Sequence, residues 1–331
     1  MHNLDKTMLA VGLALLLGLV SSPGEATPTC GSTVSGHVVF DSNLACSSSN
    51  GLIVGADNTT IDLAGFTLSC TGAGYQGTCQ GLGFTGINTN GHSNVLITGS
   101  TITGFAVGVL VSGGSDVNVR GLTVTGPASP GAGSNNRPAS TGIEVSGTVC
   151  PDPPDTIINI HGNDVSNQRE GIELVGACCV NVGFNHVHDN NSDPVACHGI
   201  LAVNACNNNF NNNLVERNGE NLPRDGGLTI LGAGSANNTA THNDVSTNCG
   251  DGISVRFGAN NNQVVNNEAR NNSTSNLGGQ CFNVSPGAFF DLAAVFDGVG
   301  NRWIRNNQCL TQGNVGINAS PIPAGVCNPG E

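Results

Sequence analysis

The sequence predicts an all-β solenoid of stacked parallel strands, and three observations carry that prediction. A phrase of Gly, apolar, any residue, apolar recurs as Gly108-Val-Leu-Val, Gly142-Ile-Glu-Val, Gly171-Ile-Glu-Leu, Gly199-Ile-Leu-Ala, Gly227-Leu-Thr-Ile and Gly252-Ile-Ser-Val. Its intervals of about 25 to 34 residues are those of repeat proteins, and each phrase alternates with the period of a strand. A second column holds an Asn followed two residues later by an apolar residue: Asn163, Asn185, Asn213, Asn243, Asn267 and Asn307. Earlier coils place Phe66, Ser100 and Leu122 there. Asn tolerates left-handed backbone at sharp bends, and stacked Asn side chains hydrogen-bond from one coil to the next. Helix signals, finally, are nearly absent: 48 glycines and abundant Asn suit turns rather than helices.

The elements follow in chain order. Residues 1–26 read as a secretory signal peptide, with Lys6 as the positive start, an apolar run from Met8 to Val20, and small residues at Gly24-Glu-Ala26. That run is short for a membrane span, and no later stretch is apolar enough for one. Residues 27–50 are expected to form an N-terminal cap, because a solenoid must cover its ends. Residues 51–318 then supply about nine to ten coils, a rod of roughly 45 Å at strand spacing. Each coil opens with the Gly phrase. It continues with a second strand, such as Val95-Leu-Ile, Val117-Asn-Val, Ile157-Ile-Asn-Ile or Val180-Asn-Val, and turns at the Asn into a third, such as Asp164-Val-Ser or His186-Val-His. Gly287 to Phe296 is the one segment expected to form a short helix or capping loop, and residues 319–331, rich in Pro, a C-terminal cap.

Composition narrows the function. The formal charge is −13, and Lys6, the only lysine, lies in the signal segment. An acidic, lysine-free surface is a poor partner for nucleic acid or an anionic membrane, and it favours cations such as Ca²⁺. Trp303 and Tyr75 are the only residues of their kinds, so platforms for stacking on sugars are few. Thirteen Cys in an exported chain with no CxxC pair point to disulfides, and the odd count leaves one over. Cys150 and Cys179 both fall eight residues after their phrase Gly, and Cys178 and Cys206 seven after theirs. Equivalent positions of adjacent coils lie ~4.8 Å apart, within disulfide reach. Cys30 with Cys46, Cys70 with Cys79, and Cys309 with Cys327 are candidate local staples.

This pattern resembles the right-handed parallel β-helix repeat family, over about residues 50–318. The family includes pectate lyases, polygalacturonases and a periplasmic copper-binding maturation protein. The resemblance implies a single-stranded right-handed parallel β-helix of pectin-lyase-like fold, in a secreted or periplasmic protein with a polysaccharide as partner. His198-Gly-Ile and Asp251-Gly-Ile look like the His-Gly and Asp-Gly elements of polygalacturonases. The Asn-Thr-Asp, Asp-Asp and Arg-x-Lys motifs of that group are missing, so the resemblance implies the fold more strongly than the activity.

Two constellations could carry chemistry. Immediately before the phrase Gly stand Glu170, His198, Asp225 (displaced by one) and Asp251, a column of acids and an imidazole along one edge of the first sheet. Glu144 and Glu173 face outward beside it, with Arg256 placed to hold a uronate carboxylate. Paired carboxyls ~5 Å apart suit a retaining glycosidase, and a wider pair an inverting one. Catalysis by Glu170, His198, Asp225 and Asp251, with substrate held by Glu144, Glu173 and Arg256, is the enzymatic expectation. The first expectation, however, is an exported glycan-binding or surface protein without catalysis, since a polar edge of Asp-Gly turns is also what such a coil requires; a pectin- or uronan-acting hydrolase or lyase that uses this column is the alternative. The second constellation is His186-Val-His188, two imidazoles on one strand face, with Asp164 and Glu216 on neighbouring coils. Two His and one or two carboxylates suit Zn²⁺ or Cu²⁺.

Overall fold

The computed structural model describes residues 28–127, 140–150, 157–190, 197–219, 226–272, 290–295, 298–304, 307–309, 312–315, 322–323 and 326–328. The signal segment 1–26 lies outside them, as do most of residues 319–331.

The chain winds into a right-handed parallel β-helix of three sheets, here called A, B and C, with 11, 10 and 11 strands among the described residues. Each strand pairs with the strand three later, so each turn adds one strand to each sheet; at the C-terminal end of sheet C the last described pair is only two strands apart. One coil shows the plan: His198–Val203 lies in sheet A, Asn209–Asn211 in sheet B and Leu214–Glu216 in sheet C. Alternation sends Ile200, Ala202, Phe210 and Val215 into the interior, where all are fully buried. The same positions of successive coils stack, Ile172 on Ile200 on Leu228 on Ile253. Apolar burial is the main stabilising force, about 1.5–3 kcal/mol for each fully buried Val, Leu or Ile.

Residues 51–318 supply ten described strands of sheet A and nine each of sheets B and C, the nine to ten coils expected, and the ends add to them. Ser32–Val34, His37–Val39 and Leu44–Ser47, in the segment expected as a cap, form a complete first coil paired to the next. At the other end Cys327–Asn328 pairs with Asn307–Cys309 in sheet C. The helix expected over 287–296 is overturned where it is described: Leu292–Val295 is a sheet A strand between Asp251–Arg256 and Gln312–Val315. Two flanking ladders outweigh the helical preference of Ala293 and Ala294.

The phrase Gly is a site of close approach. Its backbone is not left-handed. A β-carbon at Gly171 would lie 2.4 Å from the Val187 side chain and 2.5 Å from the Gly199 carbonyl oxygen, and Gly142, Gly199 and Gly227 repeat the same collisions. Sheet C packs against sheet A there with no room for a methyl. Gly171→Ala is therefore expected to destabilise by about 1–3 kcal/mol, the cost of overpacking a filled core. Urea titration checks it, and an unchanged midpoint would show that the coil yields.

The corners correct one detail of the sequence reading. The column Asn residues from Asn163 to Asn267 are not themselves left-handed; the residue before each of these five is, at Gly162, Phe184, Asn212, His242 and Asn266. The Asn that follows is buried and faces along the rod. The Asn163 amide donates to Asn185 Oδ1 at 3.0 Å, Asn185 to Asn213 at 3.0 Å, Asn213 to Asn243 at 2.9 Å, Asn243 to Asn267 at 2.9 Å, and Asn267 to Asn307 at 3.1 Å. Two further ladders occupy the other corners. One runs Asn208, Asn238, Asn262, Asn301; the other Asn190, Asn218, Asn248, Asn272 and Asp291.

All five proposed disulfides are present: Cys30–Cys46, Cys70–Cys79, Cys150–Cys179, Cys178–Cys206 and Cys309–Cys327, with Cα separations of 4.5 to 5.6 Å. Cys249 is also disulfide-bonded, and Cys197 is a buried thiol. Among the described residues no helix is long and apolar enough to cross a membrane.

Candidate functional site

The column before the phrase Gly is real in register. Thr141, Glu170, His198, Gly226 and Asp251 occupy equivalent positions on five consecutive strands of sheet A. Asp225, one residue before that register, lies outside the described residues. The rest of the column is sealed. Glu170 and His198 are only 3% and 4% exposed. Glu170 Oε2 accepts the His198 backbone N–H at 2.9 Å and lies 3.1 Å from His198 Nδ1. Asp251 is equally buried. It accepts from the Arg256 guanidinium at 2.5 Å and from the Phe290 backbone N–H at 2.7 Å. Burial nevertheless pushes the Asp251 carboxyl upward, against the Arg256 charge. Arg256, itself buried, also donates to Ser254 Oγ at 2.9 Å. It therefore serves Asp251, where the sequence placed it facing a substrate.

The outward neighbours of that column line an open cleft. Glu144 and Glu173 are register partners on adjacent strands, Thr141–Ser146 and Glu170–Val175. With Ser140, Thr141 and Arg169 they border a cleft of about 440 Å³ whose far wall is Gly81 and Gly83. Both carboxyls are held above the ordinary glutamate value. Burial raises Glu144. Burial raises Glu173 first; repulsion from Glu170 and Glu144 adds to it, and the Arg169 charge and the Thr141 hydroxyl act against it. Thr141 Oγ1 donates to Glu173 Oε2 at 3.2 Å. Arg169 Nε stands 3.6 Å from Glu170 Oε1 and is buried with no hydrogen-bond partner. Two carboxyls poised to share protons, beside a cation and a hydroxyl, form an acid–base arrangement.

A second groove of about 530 Å³ crosses sheet B between Ile157 and His242, lined chiefly by Asn181, Asn207, Asn209, Asn211 and Asn212. It has shape without paired ionisable groups.

Sheet C brings together all four residues named as metal ligands. His186 and His188 point outward around the buried Val187, their rings stacked with centroids 4.1 Å apart. Asp164 lies between them, Oδ2 at 3.3 Å from His186 Nδ1 and Oδ1 at 3.3 Å from His188 Nε2. Glu216 Oε1 meets His186 Nε2 at 3.2 Å. Asp189 Oδ2 meets His188 Nδ1 at 2.7 Å, and Arg217 clamps both Asp189 and Glu216. The Asp189 contact chiefly raises His188, while His188 and Arg217 outweigh burial and hold Asp189 down at about 2.

The family model for the right-handed beta helix region matches residues 85–269, more than half of the sequence and every ionisable residue of the sites above. The chain belongs to that family. Among solved structures, this right-handed β-helix protein is similar to the DFA-IIIase of Arthrobacter chlorophenolicus A6 in complex with GF2, at 12% identity and TM-score 0.51, covering 86% of this chain and 62% of the other. It is also similar to the Dettilon tailspike protein, at 15% identity and TM-score 0.49, covering 84% of this chain and 55% of the other. A mutant of the periplasmic alginate epimerase AlgG gives 15% identity and TM-score 0.47, covering 86% and 74%. The β-helix chain thus spans a little over half the length of the first two, and the likeness is one of fold. No curated protein matches it.

Sequence reading of the β-helix missed the far wall of the cleft. Residues 71–84 leave the repeat and return over the edge of sheet A, tied down by Cys70–Cys79 and by Gln80, whose side-chain amide donates to Gln168 Oε1 at 2.9 Å. No periodicity marks that return; the Cys70 to Cys79 spacing is the only signal of a closed loop.

Proposed function

We propose that this is an exported carbohydrate-active β-helix protein, which binds a neutral glycan across sheet A and cleaves a glycosidic bond with Glu144 and Glu173. The observation that carries the reading is the pair itself: two carboxyls in register, both pushed up, lining one cleft beside Arg169 and Thr141. Glu173 is the more strongly enclosed and has two carboxylate neighbours, so it holds the proton and donates it to the leaving oxygen. Glu144 is the nucleophile. Adjacent coils are about 4.8 Å apart, the spacing of a retaining rather than an inverting pair. Glu170 and His198, locked behind them, and Asp251 with Arg256 farther along support the strand edge and do not touch substrate. With Glu170 and Glu173 sharing one arginine and Glu144 beside them on the cleft, the cleft repels uronates and admits uncharged sugars. Export follows from the N-terminal segment 1–26 and from disulfides that persist in oxidising compartments.

The test is a panel of neutral and uronic polysaccharides incubated with the mature protein, read by new reducing ends and by the anomeric configuration of the first product. Cleavage of a neutral glycan with retention is expected, and its loss in Glu144→Gln and Glu173→Gln. Cleavage that survives both substitutions, or binding with no cleavage of any member, overturns the proposal.

A further inference from the structure

The cluster on sheet C is independent of the sheet A cleft, and its hydrogen bonds distinguish ligands from the groups that orient them. We propose that it is an exchangeable transition-metal site, in which His186 Nδ1, His188 Nε2 and the Asp164 carboxylate bind a divalent cation of the Zn²⁺ class. Glu216 and Asp189 orient the two rings from behind.

Among the described residues, Asp164, His186 and His188 form the one group of three metal-ligating side chains whose donor atoms all lie within 4.8 Å of one another. The two His to Asp164 separations are both 3.3 Å. Donors 2.0–2.1 Å from a tetrahedral Zn²⁺ stand about 3.3–3.4 Å apart, and each imidazole stands at that distance from one oxygen of the carboxylate, His186 from Oδ2 and His188 from Oδ1. Each imidazole has its second nitrogen on a different carboxylate, His186 Nε2 on Glu216 and His188 Nδ1 on Asp189. Metal-binding histidines characteristically donate their other N–H to a carboxylate, which fixes the ring and its tautomer. Arg217 holds both of those carboxylates, donating to Asp189 at 3.0 Å from each of two nitrogens and pairing with Glu216. Glu216, expected from the sequence to be a ligand, thereby moves to the rear of the site.

Three protein donors leave a fourth tetrahedral position open to water, as in catalytic rather than structural zinc sites. The open side faces solvent, since Asp164 and His186 are 44% and 36% exposed. Two imidazoles and a carboxylate suit Zn²⁺ and Cu²⁺ better than Ca²⁺ or Mg²⁺, which take all-oxygen sets. The strand positions are already fixed by the ladders of sheet C, so the cation finds a preformed site.

The experiment uses tag-free, chelator-stripped mature protein, titrated with Zn²⁺ against a chromophoric chelator and with Co²⁺ by visible absorption. One equivalent of Zn²⁺ and the intense bands of four-coordinate Co²⁺ are expected. His186→Gln, His188→Gln and Asp164→Asn each lose them. Glu216→Gln keeps the Co²⁺ spectrum but binds about 10–100-fold more weakly, as an orienting partner does. Glu144→Gln and Glu173→Gln bind as the native protein does, so failure of the glycan reading leaves this one standing. Circular dichroism confirms that each variant is folded, as the outward positions of these side chains predict. The proposal is overturned if native protein takes up no more Zn²⁺ than folded His188→Gln, or if Glu216→Gln removes the Co²⁺ bands as completely as His188→Gln does.

Discussion

Glu173→Gln is expected to abolish glycosidic cleavage while making the protein more stable at neutral pH. Loss of a positioned general acid typically lowers turnover about 10²–10⁴-fold. The stability change has its own sign. The folded protein holds the Glu173 carboxyl above its ordinary value of 4.5, first through burial and then through Glu170 and Glu144. A group raised in this way contributes stability that is complete below the unfolded value and is lost as pH rises through the folded value. Gln keeps the shape and hydrogen-bonding capacity of the protonated acid and cannot ionise. The variant and the native protein should therefore unfold at the same urea concentration at pH 4, and the variant at a higher one at pH 7.5. Glu144→Gln should show the same trend, through burial alone. Inactivity together with stabilisation is the signature of a site held in an unfavourable state for function. A Glu173→Gln protein less stable than native at pH 7.5 would mean that the carboxylate is structural, and would sink the assignment.

The solenoid was legible because its physics repeats. A glycine that must admit a neighbouring valine, as Gly171 admits Val187, recurs on five consecutive coils from Gly108 to Gly227 and so appears as a phrase. That phrase then served as a ruler. Counting from it placed Cys150 against Cys179 and Cys178 against Cys206, and put Glu144 level with Glu173. Alternation about Val187 turned His186 and His188 outward together. What the ruler could not measure lies where the chain leaves the repeat. The corner ladders through Asn190 and Asn208 stand five residues to either side of the column Asn, as Asn218 and Asn208 flank Asn213, but in so Asn-rich a chain no single Asn stands out. The same holds for the site. Position alone made Glu170, His198 and Asp251 the catalytic candidates and left Glu144 and Glu173 beside them as substrate-holding neighbours. Burial separates them, and burial depends on the returning loop 71–84, on Arg256 and on the Phe290 backbone. For sheet C the residues were legible and their roles were not, because only the side-chain bonds show which ring nitrogen of His186 faces Asp164 and which faces Glu216.

Asn213→Ala is expected to destabilise the rod by about 4 kcal/mol, because each rung of the corner ladder replaces backbone bonds that the turn breaks. The Asn213 amide nitrogen donates to the Val182 carbonyl of the preceding coil at 2.9 Å and to Asn243 Oδ1 at 2.9 Å. Its Oδ1 accepts the Asn185 backbone N–H at 3.1 Å and the Asn185 amide at 3.0 Å. All of these groups are buried, with Asn213 1% exposed. Truncation leaves the Asn185 N–H without its acceptor and removes a donor from Val182, at about 1–3 kcal/mol for each buried group left unmade. A second Asn row provides the internal control. On the outer face of sheet B, Asn159 donates to Asn118 and Asn181 donates to Asn159, each at 3.2 Å, where water can replace a lost partner. Asn159→Ala should cost under about 1 kcal/mol, the net worth of an exposed hydrogen bond. The two rows look alike in sequence and in stacking and differ in burial, so urea denaturation of the pair isolates what burial adds. Equal costs for Asn213→Ala and Asn159→Ala would show that the corner ladder is a consequence of coil stacking and contributes little to holding the coils together.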